Sequence, residues 1–139
     1  MSSATILAPV FAQVALTFAL LLWLGALRVP AVRRGEVAMR DIALSDEKWP
    51  EQTRQASGAF SNQFELPVLF YVAVILAMVA GATSVTFVIL AWLFVATRIA
   101  HAAVYISSND VPQRALIYSA GFAILGLMWL ILFWLVVFG

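Results

Sequence analysis

Long apolar segments dominate the chain, and short polar segments separate them. The first runs from Thr5 to Leu27 without a charge and contains one strongly polar side chain, Gln13. A second uncharged run, Leu66 to Thr97, is too long for one membrane span of about 20 residues. Small, turn-favouring residues at 81–84 divide it into two segments. With a last run from Ala115 to Gly139, the pattern predicts four transmembrane helices.

The predicted helices cover residues 4–27, 60–80, 85–106 and 112–138, with a polar loop at 28–59. We interpret the chain as one domain, an all-α membrane protein folded as a bundle of four transmembrane helices. Pro30 favours an end of the first helix nearby, because proline disrupts the interior of a helix. Pro67 lies inside the second predicted helix, and we expect it to kink that helix.

The composition and the distribution of charge agree with a membrane location. Of the 139 residues, 64% are hydrophobic and 11% are charged. Six of the eight Lys and Arg lie in the loop at 28–59, and Arg98 and Arg114 flank the last connection. By the positive-inside rule, both polar connections face the cytoplasm and both termini lie on the other side. We therefore predict an integral, multi-pass membrane protein with cytoplasmic polar loops.

Charge and cysteine content exclude several classes of function. A net charge of +1 offers no electrostatic basis for binding nucleic acid. Because the chain has no cysteine, disulfides, thiolate metal sites and a cysteine nucleophile of its own are excluded. One histidine without a cluster of carboxylates predicts no metal site.

Polar side chains form three clusters along the last three predicted helices. They are Asn62 with Glu65, Arg98 with His101 and Tyr105, and Arg114 with Tyr118. Ionisable groups within membrane segments are costly and usually functional. The spacing i, i+3, i+7 places the second cluster on one stripe of the third helix. We interpret the set as a site near the membrane surface that binds a small anion with an amine.

Structural roles remain open for part of this set. Glu65 would pair with an arginine, Arg98 or Arg114, or accept hydrogen bonds from a ligand, and the two roles are compatible. The two arginines would otherwise reach the lipid headgroups, and Tyr105 would belong to the aromatic belt at the interface. The histidine on the same stripe favours the functional interpretation.

The ordered motifs resemble those of the MAPEG family, the membrane-associated proteins of eicosanoid and glutathione metabolism. The resemblance rests on Asn-Gln-Phe-Glu at 62–65 followed by Pro67, Arg-x-x-His-x-x-x-Tyr at 98–105, and Pro-Gln-Arg at 112–114 with Tyr118. It implies a homotrimer of four-helix protomers that binds glutathione between subunits near the cytoplasmic surface. In such proteins, matching residues line the glutathione site, and the matches here are Asn62, Glu65, His101, Tyr105, Arg114 and Tyr118. We add Arg98 because it shares the stripe of His101.

The resemblance also implies a reaction. It assigns Arg114 to stabilising the glutathione thiolate, which attacks or reduces a lipophilic substrate that arrives from the bilayer. The implied function is a glutathione-dependent transferase or peroxidase. Arg28 is loosely similar to a basic residue that some members use. Gly58 stands where well-characterised enzymes carry an arginine, Leu66 where one type has a tyrosine, and Ala115 where another has a hydroxyl.

Two other functions fit parts of the pattern. A non-enzymatic structural or lipid-binding subunit with MAPEG-like helices would use Glu65, Arg98 and Arg114 in buried ion pairs. A small multidrug transporter of the four-helix type needs a carboxylate near mid-membrane in its first helix, where this chain has no acidic residue. The polar set therefore favours the glutathione-dependent enzyme, with the structural subunit as the alternative.

Overall fold

A computed structural model describes residues 1–139 as a bundle of helices without strands. The α-helices are α1 (Ser3–Arg33), α2 (Glu51–Ser61), α3 (Leu66–Val79), α4 (Val85–Ile106) and α5 (Val111–Phe138), with short 3-10 turns at Met39–Asp41 and Asn62–Phe64. Because α2 and α3 together form one span, the bundle has four segments long and apolar enough to cross a membrane. The all-helical membrane fold that the sequence predicts is confirmed.

Helix α1 continues beyond the end that the sequence predicts. The prediction ends it at Leu27, whereas the structure extends it to Arg33 with Pro30 near its C-terminal end. The missing backbone N–H of Pro30 removes one intrahelical bond, the one to the carbonyl four residues earlier, and the helix still continues for three more residues. The extension is packed, since Ala31 is buried against Trp49 of the following loop.

The second span also differs from its predicted bounds. It begins at Glu51 rather than near residue 60, so part of the predicted loop is helical. The 3-10 turn at Asn62–Phe64 breaks the span, and the backbone of Glu65 leaves the helical region with φ −99° and ψ −108°. Pro67 lies in the first turn of α3, where proline is tolerated. The irregularity is therefore at residues 62–65, and Pro67 begins a new helix instead of kinking an existing one.

Helices α3, α4 and α5 form most of the core. Phe70 of α3 and Phe94 of α4 are fully buried and stack with their ring centroids 4.8 Å apart. Met128 of α5 is also fully buried in this cluster. Large apolar side chains such as Leu116 and Leu130 are exposed on the outside. An apolar exterior of this kind suits hydrocarbon surroundings, where helices satisfy their own backbone hydrogen bonds.

One end of the bundle carries most of the polar contacts. This end, called the polar end below, contains the C-termini of α1 and α4, the N-termini of α2 and α5, and the break at 62–65. Arg28 donates hydrogen bonds to Asp46 and Ser57 at 3.3 and 3.2 Å. Ser57 also donates to Asp46. These contacts attach the loop at 34–50 to α1 and α2.

A buried pair of glutamines joins α1 to the break in the second span. Gln13 Nε2 donates to Gln63 Oε1 at 2.7 Å, and Gln63 Nε2 donates to the carbonyl of Ala59 at 3.2 Å. The two side chains are 0% and 3% exposed. Because polar groups inside a membrane protein need internal partners, this pair holds the break against α1.

Candidate functional site

A cavity at the polar end brings together six of the seven predicted site residues. This first cavity has a volume of about 390 Å³. Its lining residues are Asn62, Glu65, His101, Tyr105, Val111, Arg114, Ala115, Tyr118 and Ser119. The break in the second span, the last turns of α4 and the first turns of α5 therefore form its three walls.

Asn62 and Glu65 line the cavity from the break between α2 and α3. Asn62 caps the end of α2, and its Nδ2 donates to the carbonyl of Gly58 at 3.2 Å. Glu65 follows the 3-10 turn, and its side chain lies on the surface. A carboxylate and an amide therefore both line the cavity from the point where the helix of the second span is interrupted.

The expected ion pairs of Glu65 with Arg98 or Arg114 are absent. All ion pairs within the chain lie in the region from Arg28 to Asp46. Arg28 belongs to this group and does not line the cavity. The structural-subunit alternative relies on buried pairs that the chain does not form.

Aromatic rings from α4 and α5 surround His101, which is 5% exposed. Its ring centroid lies 5.9 Å from that of Tyr105 and 5.7 Å from that of Tyr118. The packing holds the imidazole in place between the two phenol rings. All three rings line the cavity, so this wall combines apolar faces with polar edges.

Arg114 stacks on the ring of Tyr105. The guanidinium carbon lies 3.9 Å from the ring centroid, within the range of a cation–π contact. Its Nε is buried and has no hydrogen-bond partner in the chain. Because the ring contacts the face of the guanidinium, the terminal N–H groups at its edge can still donate to an anion.

Arg98 lies outside the cavity, which differs from the prediction. Its side chain is 2% exposed between α4 and α5, where Nη2 donates to the carbonyl of Ile117 at 3.5 Å. Its guanidinium carbon lies 5.1 Å from the ring of Tyr118. Arg98 shares a stripe with Tyr105 but is seven residues earlier, about 10 Å deeper along the helix. The stripe therefore runs from the cavity into the protein interior.

Three lining residues of α5 were not among the predicted site residues. They are Val111, Ala115 and Ser119. With Arg114 and Tyr118 they follow the spacing i, i+3, i+4, i+7, i+8 of a single helix face. This periodicity was the available signal, since every residue on that face close to Arg114 shares its surroundings.

A second cavity adjoins the first at Tyr105, which lines both. It has a volume of about 230 Å³, and its other lining residues are Glu51, Arg54, Gln55 and Asn109. Tyr105 packs against α2 at Gly58, where a β-carbon would collide with the phenol hydroxyl. Glycine at this position is thus required for the ring to lie between the two cavities.

Fold and site together define an integral, multi-pass membrane protein with a charged cavity at one end of a four-helix bundle. The sequence pattern of the MAPEG family matches residues 6–134, and the chain belongs to this family. The resemblance drawn from the motifs is therefore confirmed. Membership supports, at the level of the family, a role in membrane glutathione-transferase or eicosanoid-related chemistry. No curated protein and no solved structure matches the chain.

Proposed function

We propose that the protein is a glutathione-dependent transferase or peroxidase that acts on lipophilic electrophiles. The observation that carries this proposal is the position of Arg114, which stacks on Tyr105 in a cavity also lined by the carboxylate of Glu65. A peptide thiol with both an ammonium and carboxylate groups complements these opposite charges. Family membership supports glutathione as that thiol.

Arg114 would act on the sulfur. A free thiol has a pKa of about 8.5 and is mostly protonated at neutral pH, whereas the thiolate is the nucleophile. A guanidinium within hydrogen-bond distance of the sulfur favours the thiolate, and partial burial strengthens this interaction. In transfer, the sulfur bonds to the electrophilic carbon, and the leaving group departs with the bonding electron pair.

Peroxide reduction would use the same thiolate. The sulfur attacks one peroxide oxygen, the O–O bond breaks, and the alkoxide takes a proton to become an alcohol. A second glutathione then attacks the resulting sulfenic acid, which releases water and forms glutathione disulfide. Both reactions need the same group from this chain, a cation beside the sulfur.

The substrate would enter from the bilayer. Val111 and Ala115 line the cavity on α5, and Leu116 beside them is 73% exposed on the outer face. This arrangement offers an apolar approach next to Arg114. The resemblance also supports a homotrimer with the thiol between subunits, and the surface position of Glu65 is compatible with a neighbouring subunit that completes the site.

Calorimetry on the detergent-solubilised protein tests the proposal. We expect the wild type to bind glutathione saturably. Arg114→Ala should bind it at least about tenfold more weakly than the wild type, because a charged hydrogen bond is lost. Arg114→Lys should bind with intermediate affinity, since it retains the charge without the planar guanidinium. Arg40→Ala removes an exposed arginine outside both cavities and serves as the control. The proposal is abandoned if the wild type shows no saturable binding.

A further inference from the structure

We infer that an anionic phospholipid binds at the C-terminal end of α1, in a cavity separate from the candidate functional site. This cavity, called the loop cavity below, has a volume of about 290 Å³. Its lining residues are Arg28, Val29, Val32, Arg33, Met39 and Ile42. None of them lines the first or the second cavity, so the inference does not depend on the proposed function.

The last turns of α1 form one wall of the loop cavity. Arg28 and Val32 are one helical turn apart, and so are Val29 and Arg33, which places the four side chains on two adjacent stripes of the helix. Gly35 follows with a φ of 71°, and its N–H donates to the carbonyl of Val32 at 3.1 Å. A glycine with positive φ at this position ends the helix and turns the chain.

The loop after this turn forms the opposite wall. Met39 begins the 3-10 turn, and Ile42 follows it directly. Ile42 and Val32 both pack against the small buried cluster that contains Trp49, so the two walls are joined at their base. Met39 is 68% exposed. An apolar side chain so exposed beside two arginines suits the boundary between lipid headgroups and acyl chains.

Positive charge is concentrated at this end of α1. Residues 28–40 contain four arginines and one acidic residue, Glu36, although the whole chain has a net charge of only +1. Arg33 is exposed and forms no ion pair, since the three ion pairs of the chain involve other arginines. Basic clusters directly after a membrane helix attract anionic headgroups. The guanidinium of Arg33 is therefore free to bind a lipid phosphate.

Arg28 supplies a further donor to the same cavity. Its Nη2 donates to Asp46 and Ser57, which holds the side chain in place. Its Nε is buried and has no hydrogen-bond partner in the chain. A buried donor without a partner is costly, and a phosphate oxygen in the cavity can accept from it. Because Asp46 neutralises Arg28, the net positive charge at the cavity comes from Arg33.

The apolar walls favour a lipid over a free anion or another protein. Four of the six lining side chains are apolar, and a free phosphate gains nothing from them. A phospholipid has both parts, an acyl chain for Val29 and Met39 and a phosphate for Arg33. A standard protein interface uses about 20–30 residues on each side, far more than line this cavity. The positive-inside rule predicts the cytoplasmic leaflet for this end, and that leaflet carries anionic lipids.

Native mass spectrometry of the detergent-solubilised protein tests the site with three probes. They are phosphatidylglycerol, phosphatidylcholine with the same acyl chains, and glycerol 3-phosphate, which has a phosphate but no acyl chain. We expect the wild type to bind phosphatidylglycerol at least about tenfold more tightly than phosphatidylcholine, because a charged hydrogen bond is gained without a competing ammonium. Glycerol 3-phosphate should not bind at the same concentrations.

Single substitutions locate the bound lipid. Arg33→Ala should lower the affinity for phosphatidylglycerol about tenfold and leave that for phosphatidylcholine unchanged, whereas Arg33→Lys should retain most of the affinity. Arg54→Ala removes an exposed arginine of α2 that forms no ion pair and lies outside the loop cavity, and it should match the wild type. Met39→Gln should weaken the binding of both lipids, because apolar contact is lost. Leu44→Gln, at an exposed position of the same loop outside the cavity, should have no effect.

Three lipid-binding results would overturn the inference. They are equal affinity of the wild type for the two lipids, equal losses in Arg33→Ala and Arg54→Ala, and binding of glycerol 3-phosphate as tight as that of phosphatidylglycerol. The same spectra report the number of subunits. A lower number in Arg33→Ala or Met39→Gln would assign the loop cavity to a neighbouring copy of the chain and would also overturn the lipid site. The binding of glutathione is measured separately, so the proposed function stands or fails independently.

Discussion

Gly121 allows a cation to lie between α4 and α5. A β-carbon at this position would lie 2.5 Å from Nη2 of Arg98. Arg98 has no carboxylate partner, and its Nη1 is buried without a hydrogen bond. Its contacts include the hydroxyl of Thr97, the carbonyl of Ile117 and the ring of Tyr118. Because Tyr118 lines the cavity, Arg98 supports the cavity wall from the interior side.

Gly121→Ala should destabilise the protein, because the added methyl group forces the Arg98 guanidinium out of its position. We expect a loss of about 1–3 kcal/mol, typical of overpacking, measured as a lower midpoint of thermal unfolding in detergent. Gly126→Ala is the matched control in the same helix, since nothing lies within 4 Å of its β-carbon. Equal unfolding midpoints for the two variants would contradict this account of Gly121.

The pH dependence of turnover reports on Arg114. If Arg114 favours the thiolate, the bound thiol has a pKa below its free value of about 8.5. Wild-type turnover then falls only when the pH drops below this lowered pKa. In Arg114→Ala the pKa rises toward the free value, so the fall in turnover should begin at a higher pH. An unshifted pH profile of kcat for Arg114→Ala would remove Arg114 from this role, with Arg40→Ala as the control.

Among the helices, the break between α2 and α3 matters most for the site. It turns a membrane span of 29 residues into two helices and places Asn62 and Glu65 at the cavity. Backbone groups freed inside a membrane need other partners. Gln63 supplies one by donating to the carbonyl of Ala59, and Gln13 of α1 holds Gln63 in turn.

Gln13→Leu should weaken both the fold and the site. It leaves Gln63 Oε1 buried without a donor, which costs about 1–3 kcal/mol in the free energy of unfolding. Glutathione affinity should fall as well, because the break that positions Glu65 loosens. Thr17→Val, one turn further along α1, removes a hydroxyl that donates to the backbone carbonyl of Gln13 in its own helix and should have a small effect.

The double variant Gln13→Leu, Gln63→Leu separates the two consequences of losing this pair. Removing both polar groups relieves the unsatisfied acceptor, so stability should recover relative to Gln13→Leu alone. Glutathione affinity should stay low, since the contact between α1 and the break is not restored. A double variant with full affinity would show that the pair does not position the site.

For the whole molecule, the distribution of basic residues makes orientation in the membrane testable. The polar end carries the basic loop, and we propose that it faces the cytoplasm, with both termini on the opposite side. Because the chain has no cysteine, a single introduced cysteine reports its own location. Ser45→Cys in the loop should react with a membrane-impermeant maleimide only from the cytoplasmic side, and Ser2→Cys only from the other side. The reverse pattern would invert the proposed orientation.

Hydropathy was sufficient to predict that the chain has four membrane spans, although not where the first ends and the second begins. Uncharged runs such as Thr5–Leu27 leave little choice, because in hydrocarbon a single chain segment satisfies its backbone groups only as a helix. The polar exceptions to these runs also identified six residues that line one cavity. These features depend on local composition and spacing along one element, which can be read from the amino-acid order.

Contacts between helices determine the features of the site that could not be predicted from the amino-acid order. Arg98 lies on the same stripe of α4 as Tyr105. It lies deeper in the bundle, where packing between α4 and α5 buries it outside the cavity. At the break before Glu65, Gln63 accepts a hydrogen bond from Gln13, which is 50 residues away in the chain. Tyr105, which lines the second cavity, packs against Gly58 of another helix. Burial, steric room and partner choice arise where separate elements meet, and hydropathy along the chain does not encode them.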